Sequence, residues 1–496
     1  MPATMLSLRL APTRVGRGIT TSILQTQTRK FYSTKPRSAT SAFIINKTIK
    51  YTIIASSTAI ACGIWYLATE YNKVPDLSIP PLTASLPTAP GPSKDQVTRI
   101  LSQGAYSLPV RKVAGVSRYD GAQLASNSPC EDRFIHGTFP SPRNDGGRWM
   151  AWAVFDGHAG WQTADLLEKQ LLPSVRDGLG QVMPASLFKE DSEAVEAVQR
   201  AVVKAFVDLD DSIIQTALAT TQSKEPLQDK VKKLTTGYAG SCALLSLYDP
   251  VTSTVHVACT GDSRAVLGQK RPDGTWEAIP LSVDQTGSNE DEVARLKREH
   301  PGEEKIVDGP EKRILGLMVS RAFGDGRWKW PLELQADLKQ RFYGPSLLSL
   351  RYPLETPPYL TAEPAMTATK IDPSKPSFLI MATDGMWDCL SNQQAVDLVG
   401  KWLDSDKAER RRNRGELTDY EPFDFGQFRK GVDWRFVEGR TTVQDDNAAV
   451  HLMRNSLGGN HHELIASRLA YGSPFSRNVR DDITVQVVFF ANKGTA

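Results

Sequence analysis

The chain is poor in the residues that soft metal sites and thiol chemistry require. Seven histidines and five cysteines are spread over 496 residues. No His-Glu-x-x-His helix is present, which disfavours a zinc hydrolase. The cysteines (Cys62, Cys130, Cys242, Cys259, Cys389) are odd in number and contain no Cys-x-x-Cys pair. Buried thiols or a reducing compartment suit that pattern better than a disulfide framework. None of them opens a Cys-x₅-Arg loop, which argues against a phosphatase with a cysteine nucleophile. A Gly-x₄-Gly-Lys-Ser/Thr loop is also lacking, so a kinase or ATPase of the P-loop kind is excluded.

Acidic residues are missing from one end only. Residues 1–69 carry nine Lys and Arg and no Asp or Glu. Removing those nine from the chain's 59 basic residues leaves 50 against 56 acids, a net charge of −6 for 70–496. A mildly acidic body disfavours nucleic acid as a partner. The Arg-, Ser- and Thr-rich stretch 1–50 has the composition of a mitochondrial transit peptide. Residues 51–69 are uncharged and long enough to cross a bilayer, so a transmembrane helix is expected there, anchoring the chain to the inner mitochondrial membrane. A presequence followed by an apolar segment is compatible with either side of that membrane. Residues 70–105 begin with a proline run (Pro75, Pro80, Pro81, Pro87, Pro90, Pro92) and read as an extended linker.

The expected folded domain is 106–492. Apolar runs at 149–155, 241–248, 254–258, 264–267, 378–383 and 483–490 predict strands. Amphipathic stretches at 161–172, 192–219, 290–299, 392–403, 445–454 and 462–470 predict helices. Adjacent runs such as 241–248 and 254–258 suggest an antiparallel hairpin. Helices come in groups rather than one per strand, so an α+β layered fold is favoured over a doubly wound parallel sheet. A charged, then aromatic segment at about 404–440 reads as an insertion on the surface. The string Asp208-Leu-Asp-Asp-Ser212 lies in a helical pattern and reads as helix surface rather than as a nucleophile motif.

What the chain does have is carboxylates at strand ends. The run 149–155 ends on Asp156-Gly157-His158, the run 378–383 ends on Asp384-Gly385, and Asp481-Asp482 precede 483–490. Oxygen ligands without clustered nitrogen or thiolate suit hard divalent ions such as Mg²⁺ or Mn²⁺. An Asp-Gly at a strand end is by itself often only a turn.

Six motifs occur in order: Glu131-Asp132-Arg133, Asp156-Gly157-His158-Ala159-Gly160, Gly261-Asp262-Ser263-Arg264-Ala265, Ser320-Arg321-Ala322-Phe323-Gly324-Asp325, Asp384-Gly385-Met386-Trp387-Asp388 and Arg480-Asp481-Asp482-Ile483-Thr484. Together, over about 115–490, the chain resembles the metal-dependent (PPM, type 2C) serine/threonine protein phosphatases. The strings at 123–133, 296–301 and 357–364 further resemble the pyruvate dehydrogenase phosphatase group of that family. The resemblance implies a sandwich of two antiparallel β-sheets flanked by helices, with a dinuclear metal centre at one end. It implies that Asp156 bridges two Mg²⁺ or Mn²⁺ ions and that the Gly157 carbonyl binds one of them. Asp384 and Asp481 would hold the other ion, while Glu131 (through water) and Asp132 contact the cluster. Asp262 and Asp388 match positions linked to a weaker third ion. Two such cations can turn a bridging water into hydroxide near neutral pH and neutralise the phosphoryl oxygens. His158 would protonate the departing serine oxygen.

The implied activity is mitochondrial serine/threonine phosphatase action on phosphorylated pyruvate dehydrogenase, which removal of phosphate would activate. The same chemistry on other mitochondrial phosphoproteins stays open, as does a catalytically silent membrane-anchored adaptor. In one respect the chain departs from the wider family. Many type 2C enzymes carry a phosphate-binding Arg four residues before the Glu-Asp pair, and here that position is Asn127.

Overall fold

The computed structural model of the protein describes residues 92–182, 191–352, 354–415 and 436–491. The expected transit peptide, the expected membrane span at 51–69 and the proline run up to residue 91 lie outside the described residues. So does 416–435, the aromatic half of the expected insertion. Among the described residues no helix is long and apolar enough to cross a membrane.

The strands β1 (Tyr106–Pro109), β2 (Val116–Leu124), β3 (Arg133–Pro140) and β4 (Arg148–Phe155) come first, then the two-residue β5 (Gly157–His158). After helices Gln162–Val182, Asp191–Gln222 and Leu227–Tyr238 follow β6 (Gly240–Ser241), β7 (Ala243–Asp249), β8 (Thr254–Thr260), β9 (Arg264–Lys270) and β10 (Trp276–Pro280). The short β11 (Val307–Asp308), β12 (Arg313–Ile314) and β13 (Phe323–Gly324) precede β14 (Ala365–Lys370), β15 (Ser377–Ala382) and β16 (Ile483–Phe490). Two antiparallel sheets result, in the orders β1-β2-β16-β15-β9-β10 and β14-β8-β7-β4-β3.

Side-chain alternation explains why these sheets stack between helices. On β4, Met150, Trp152 and Val154 point into a core shared with Tyr119, Leu379, Met381 and Val488 of the other sheet. Trp149, Ala151, Ala153 and Phe155 point the opposite way, against helices Gln162–Val182 and Asp191–Gln222. With both faces buried, such a strand reads as an unbroken apolar run. The outer face of the first sheet (Ala122, Val266, Ile380, Val485, Val487) is covered by helices Lys94–Leu101, Asn392–Asp404 and Ala448–Leu457. The fold is therefore α+β, a two-sheet sandwich enclosed by helices, as the resemblance implied.

Several local expectations need correction. The linker does not run to residue 105. Helix Lys94–Leu101 starts at a Ser93–Gln96 capping box and buries Val97 and Leu101 in the core. The helix expected to stop at 172 continues through Pro173 to Val182, because Leu171, Val175 and Leu179 keep one buried face in register. Packing of that face outweighs the hydrogen bond lost at proline. The helix expected from 445 starts at Ala448. Asn447 caps it through the Ala449 and Val450 amides, while Asp445 pairs with buried Arg454. Asp210 is not on the surface. It is buried, accepts from Lys329 at 2.6 Å and from the Gly324 amide at 2.8 Å. The charged half of the insertion forms helix Lys407–Gly415, whose buried Arg410 stacks over Trp402.

Candidate metal centre and active site

The carboxylates converge at one end of the sandwich because the strands that carry them end there. Asp156 follows β4, and its carbonyl accepts from the Cys242 amide at 2.8 Å. Asp262 follows β8, where Gly261 adopts φ +107° and a side chain would lie 2.3 Å from Cys242 Sγ. That left-handed turn favours glycine and aims Asp262 inward. Asp384 opens the short helix Asp384–Trp387 directly after β15 and Thr383. Oxygens of Asp156, Asp262 and Asp384 all lie within 4.8 Å of one another.

The second rank of residues is tied to the first. Asp132 is buried; its Oδ2 accepts from Thr383 Oγ1 at 3.0 Å and Thr484 Oγ1 at 2.7 Å. Its Oδ1 is buried without a hydrogen-bond partner among the described residues. Gly157 passes so close to residue 131 that a side chain there would lie 2.3 Å from the Glu131 carbonyl. Glu131 accepts from Asn127 Nδ2 at 3.0 Å. Asp481 stands beside the Asp384-Gly385 turn, since a side chain on Gly385 would begin 3.1 Å from its Cβ. Its carboxylate pairs with Arg477. Asp388 is exposed one turn after Asp384, bonding by its amide to the Asp384 carbonyl at 2.8 Å. The grouping differs from the resemblance in one respect. Asp262, matched to a weaker third ion, belongs to the tight group, whereas Asp481, matched to the main pair, does not.

Electrostatics fit these residues to a cation. Burial, followed by the charges of Asp384, Asp132 and Asp262, pushes the Asp156 carboxyl well above its ordinary value. Burial and then Asp482 do the same to Asp132, and burial with Asp384 pushes Asp262 up to about 7. Burial raises Asp384 as well. Like charges held this close are costly unless protonated or neutralised by a bound ion. An all-oxygen donor set, one oxygen of it orphaned, suits a hard divalent cation.

His158 is positioned by a small three-stranded sheet, β13-β6-β5. Its Nε2 lies 2.7 Å from Oδ2 of the buried Asp325, which follows β13 in a left-handed conformation, φ +49°. Burial alone would lower the imidazole pKa, but the Asp325 charge and hydrogen bond outweigh it and the net shift is upward. Gly240 passes behind the pair, where a side chain would lie 2.2 Å from His158 Nε2 and 2.4 Å from Asp325 Oδ2.

Sequence reading missed the part played by Asp325, although it closes one of the quoted motifs. It also treated Asp481 and Asp482 as a pair. Asp482 Oδ1 takes the amides of Ser126 and Asn127, and its Oδ2 takes the Glu131 amide at 2.8 Å and Asn127 Nδ2 at 3.1 Å. It thus ties the 126–131 loop to the start of β16.

Comparison with known proteins agrees with this geometry. A sequence model of the family described as protein phosphatase 2C matches residues 121–415. A Schizosaccharomyces pombe protein phosphatase 2C homolog is 39% identical over 450 residues, covering 90% of this chain and 96% of the relative. The mitochondrial [pyruvate dehydrogenase [acetyl-transferring]]-phosphatase 1 of Saccharomyces cerevisiae is 34% identical over 411 residues, with 78% and 71% covered. The human mitochondrial [pyruvate dehydrogenase [acetyl-transferring]]-phosphatase 2 is 30% identical over 467 residues, with 80% and 83% covered. The chain belongs to the protein phosphatase 2C family. Its activity is that of a protein serine/threonine phosphatase, and the half-buried Asp group is the candidate site for the metal on which that family depends.

Proposed function

We propose that this phosphatase acts in mitochondria on phosphorylated pyruvate dehydrogenase, with Mg²⁺ or Mn²⁺ as its cofactor. The observation that carries the chemistry is the convergence of Asp156, Asp262 and Asp384 from three distant strand ends. The names of the yeast and human relatives support the substrate and the compartment. The acid-free basic stretch 1–50 supports the compartment independently. The uncharged segment 51–69 is proposed as an inner-membrane anchor on its composition.

In this reading Asp156, the Gly157 carbonyl, Asp384 and Asp481 hold two cations, with Asp132 and Glu131 behind them and Asp262 and Asp388 toward a third. Bound there, the cations supply Lewis acidity, which readies water for attack and neutralises the phosphoryl group. The chain's own residues do the rest. Thr383 and Thr484 fix the Asp132 carboxylate. Asp482 fixes the loop that carries Glu131. Asp325 engages Nε2 of His158, which leaves Nδ1 to carry the proton passed to the serine oxygen as its bond to phosphorus breaks.

Incubating the full chain with phosphorylated pyruvate dehydrogenase tests the reading. Phosphate release should require Mg²⁺ or Mn²⁺ and stop in EDTA. Hydrolysis of phosphoserine peptides with no effect on pyruvate dehydrogenase would move the substrate to other phosphoproteins. Absence of any metal-dependent hydrolysis would leave only the silent adaptor.

A further inference from the structure

Replacement of the family's phosphate-binding Arg by Asn127 leaves a question of charge. A phosphate monoester is a dianion, and the carboxylate cluster offers it no welcome except through bound cations. Asn127 itself cannot serve. Its side-chain amide donates to Glu131 Oε2 at 3.0 Å and to Asp482 Oδ2 at 3.1 Å, so both of its hydrogens are spent on carboxylates.

Most arginines around the site are equally committed. Arg264 chelates Asp284 and reaches Asn392 at 2.7 Å. Arg321 is held by Glu292 and the Glu363 carbonyl. Arg133 caps the carbonyls of Cys130 and Asp132. Arg480 bonds the carbonyls of Arg468, Tyr471 and Ala125. Each is engaged in holding the fold.

Arg477 is different. Its side chain is 45% exposed, and its ion pair is with Asp481, at the edge of the carboxylate cluster. The backbone brings it beside the vacated position. Arg477 sits on the single turn Phe475–Asn478, whose Ser476 is fully buried and donates through Oγ to the Ser126 carbonyl at 2.5 Å. Residue 477 is thus one step from a residue bonded to the neighbour of Asn127.

We propose that Arg477 is the cationic ligand of the substrate's phosphoryl oxygens, supplying from the 475–478 turn the guanidinium that the wider family supplies from position 127. The assignment rests on the phosphatase reading. With its Asp481 partner committed to a cation, the Arg477 guanidinium would be free to turn to the phosphate, which it could grip with two parallel N–H bonds. Lysine at 477 offers charge without that fork.

The test uses the full chain and its variants R477A and R477K, with inorganic phosphate as the probe. Phosphate binding to the Mn²⁺-loaded protein is read by calorimetry and by product inhibition. Mn²⁺ uptake is measured separately. R477A should weaken phosphate binding by about 10- to 100-fold and raise KM for a phosphoserine peptide in step, with Mn²⁺ uptake unchanged. R477K should recover part of the loss. Unaltered phosphate affinity in R477A would overturn the proposal. So would loss of Mn²⁺ uptake in R477A, because the side chain would then only steady Asp481. A wild-type protein that shows no Mn²⁺-dependent hydrolysis would instead contradict the phosphatase reading, and the two failures are separable.

Discussion

Nε2 of His158 lies 2.7 Å from Oδ2 of Asp325, a buried residue 167 positions further along the chain. The contact exists because β5 and β13 flank the same two-residue strand, β6. It fixes which ring nitrogen faces Asp325 and sets the orientation of the imidazole.

A positioned acid matters only for a poor leaving group. D325N should therefore slow hydrolysis of a phosphoserine peptide by about 100-fold while barely affecting p-nitrophenyl phosphate, whose phenolate leaves unaided. H158A should give the same split, and the double variant should be no worse than H158A. Equal losses on both substrates would mean that Asp325 serves only the fold.

The carboxylate cluster should cost stability until a cation fills it. Asp156 has a raised carboxyl pKa from burial and from its acidic neighbours. A carboxyl raised in the folded state destabilises that state once pH exceeds its unfolded value near 4. In EDTA at pH 7, D156N should therefore unfold at higher temperature than wild type, by about 1–2 kcal/mol of stability. Added Mn²⁺ should stabilise wild type and leave D156N unmoved, reversing the order. A variant less stable than wild type in EDTA would contradict this picture of unrelieved repulsion.

Helix Lys94–Leu101 makes a prediction about where the domain starts. A chain beginning at residue 89 should match the full chain in urea unfolding. One beginning at 106 loses buried Val97 and Leu101 and the Thr98 hydroxyl that Arg454 engages at 2.9 Å. Its stability should fall by about 3–5 kcal/mol. Identical urea midpoints would show that the helix is dispensable.

Glu292 sits beneath the Ser320-Arg321 segment and accepts from Arg321, Arg295 and Ser320. Burial pushes its carboxyl up, but those three bonds and the Arg295 charge outweigh it and bring it down to about 2. A depressed carboxyl stabilises fully above its unfolded value near 4.5, and the contribution fades as pH falls from there toward 2. E292Q should cost on the order of 2–3 kcal/mol at pH 7, with a smaller gap to wild type at pH 3. Thermal unfolding across that range would read it, and a gap independent of pH would refute the assignment.

Much of the site was legible because its chemistry is local. Strand-end Asp156 and Asp384 each stand directly before a glycine and after an unbroken apolar run, while Asp481 directly precedes one. The outer strands were harder to see. β14 is exposed at four of its six positions, with Met366 and Thr369 half-buried, and β2 carries buried Asp120 where a hydrophobe would be expected. Partnerships across long separations left no sequence signal at all. Asp210 with Lys329, and Asp482 with the 126–131 loop, are defined by tertiary packing, and their own neighbours look like helix surface or strand end. The helix expected to end at 172 runs on through Pro173 for the same reason, since a buried helix face outweighs the hydrogen bond a proline removes.

The convergence of carboxylates on a pair of hard cations can be tested most directly with anomalous diffraction from crystals grown with Mn²⁺. Manganese peaks should appear about 2.2 Å from carboxylate oxygens of Asp156 and Asp384, and they should vanish in D156N. Well-ordered crystals with these carboxylates bare, or with manganese bound only elsewhere, would contradict the account.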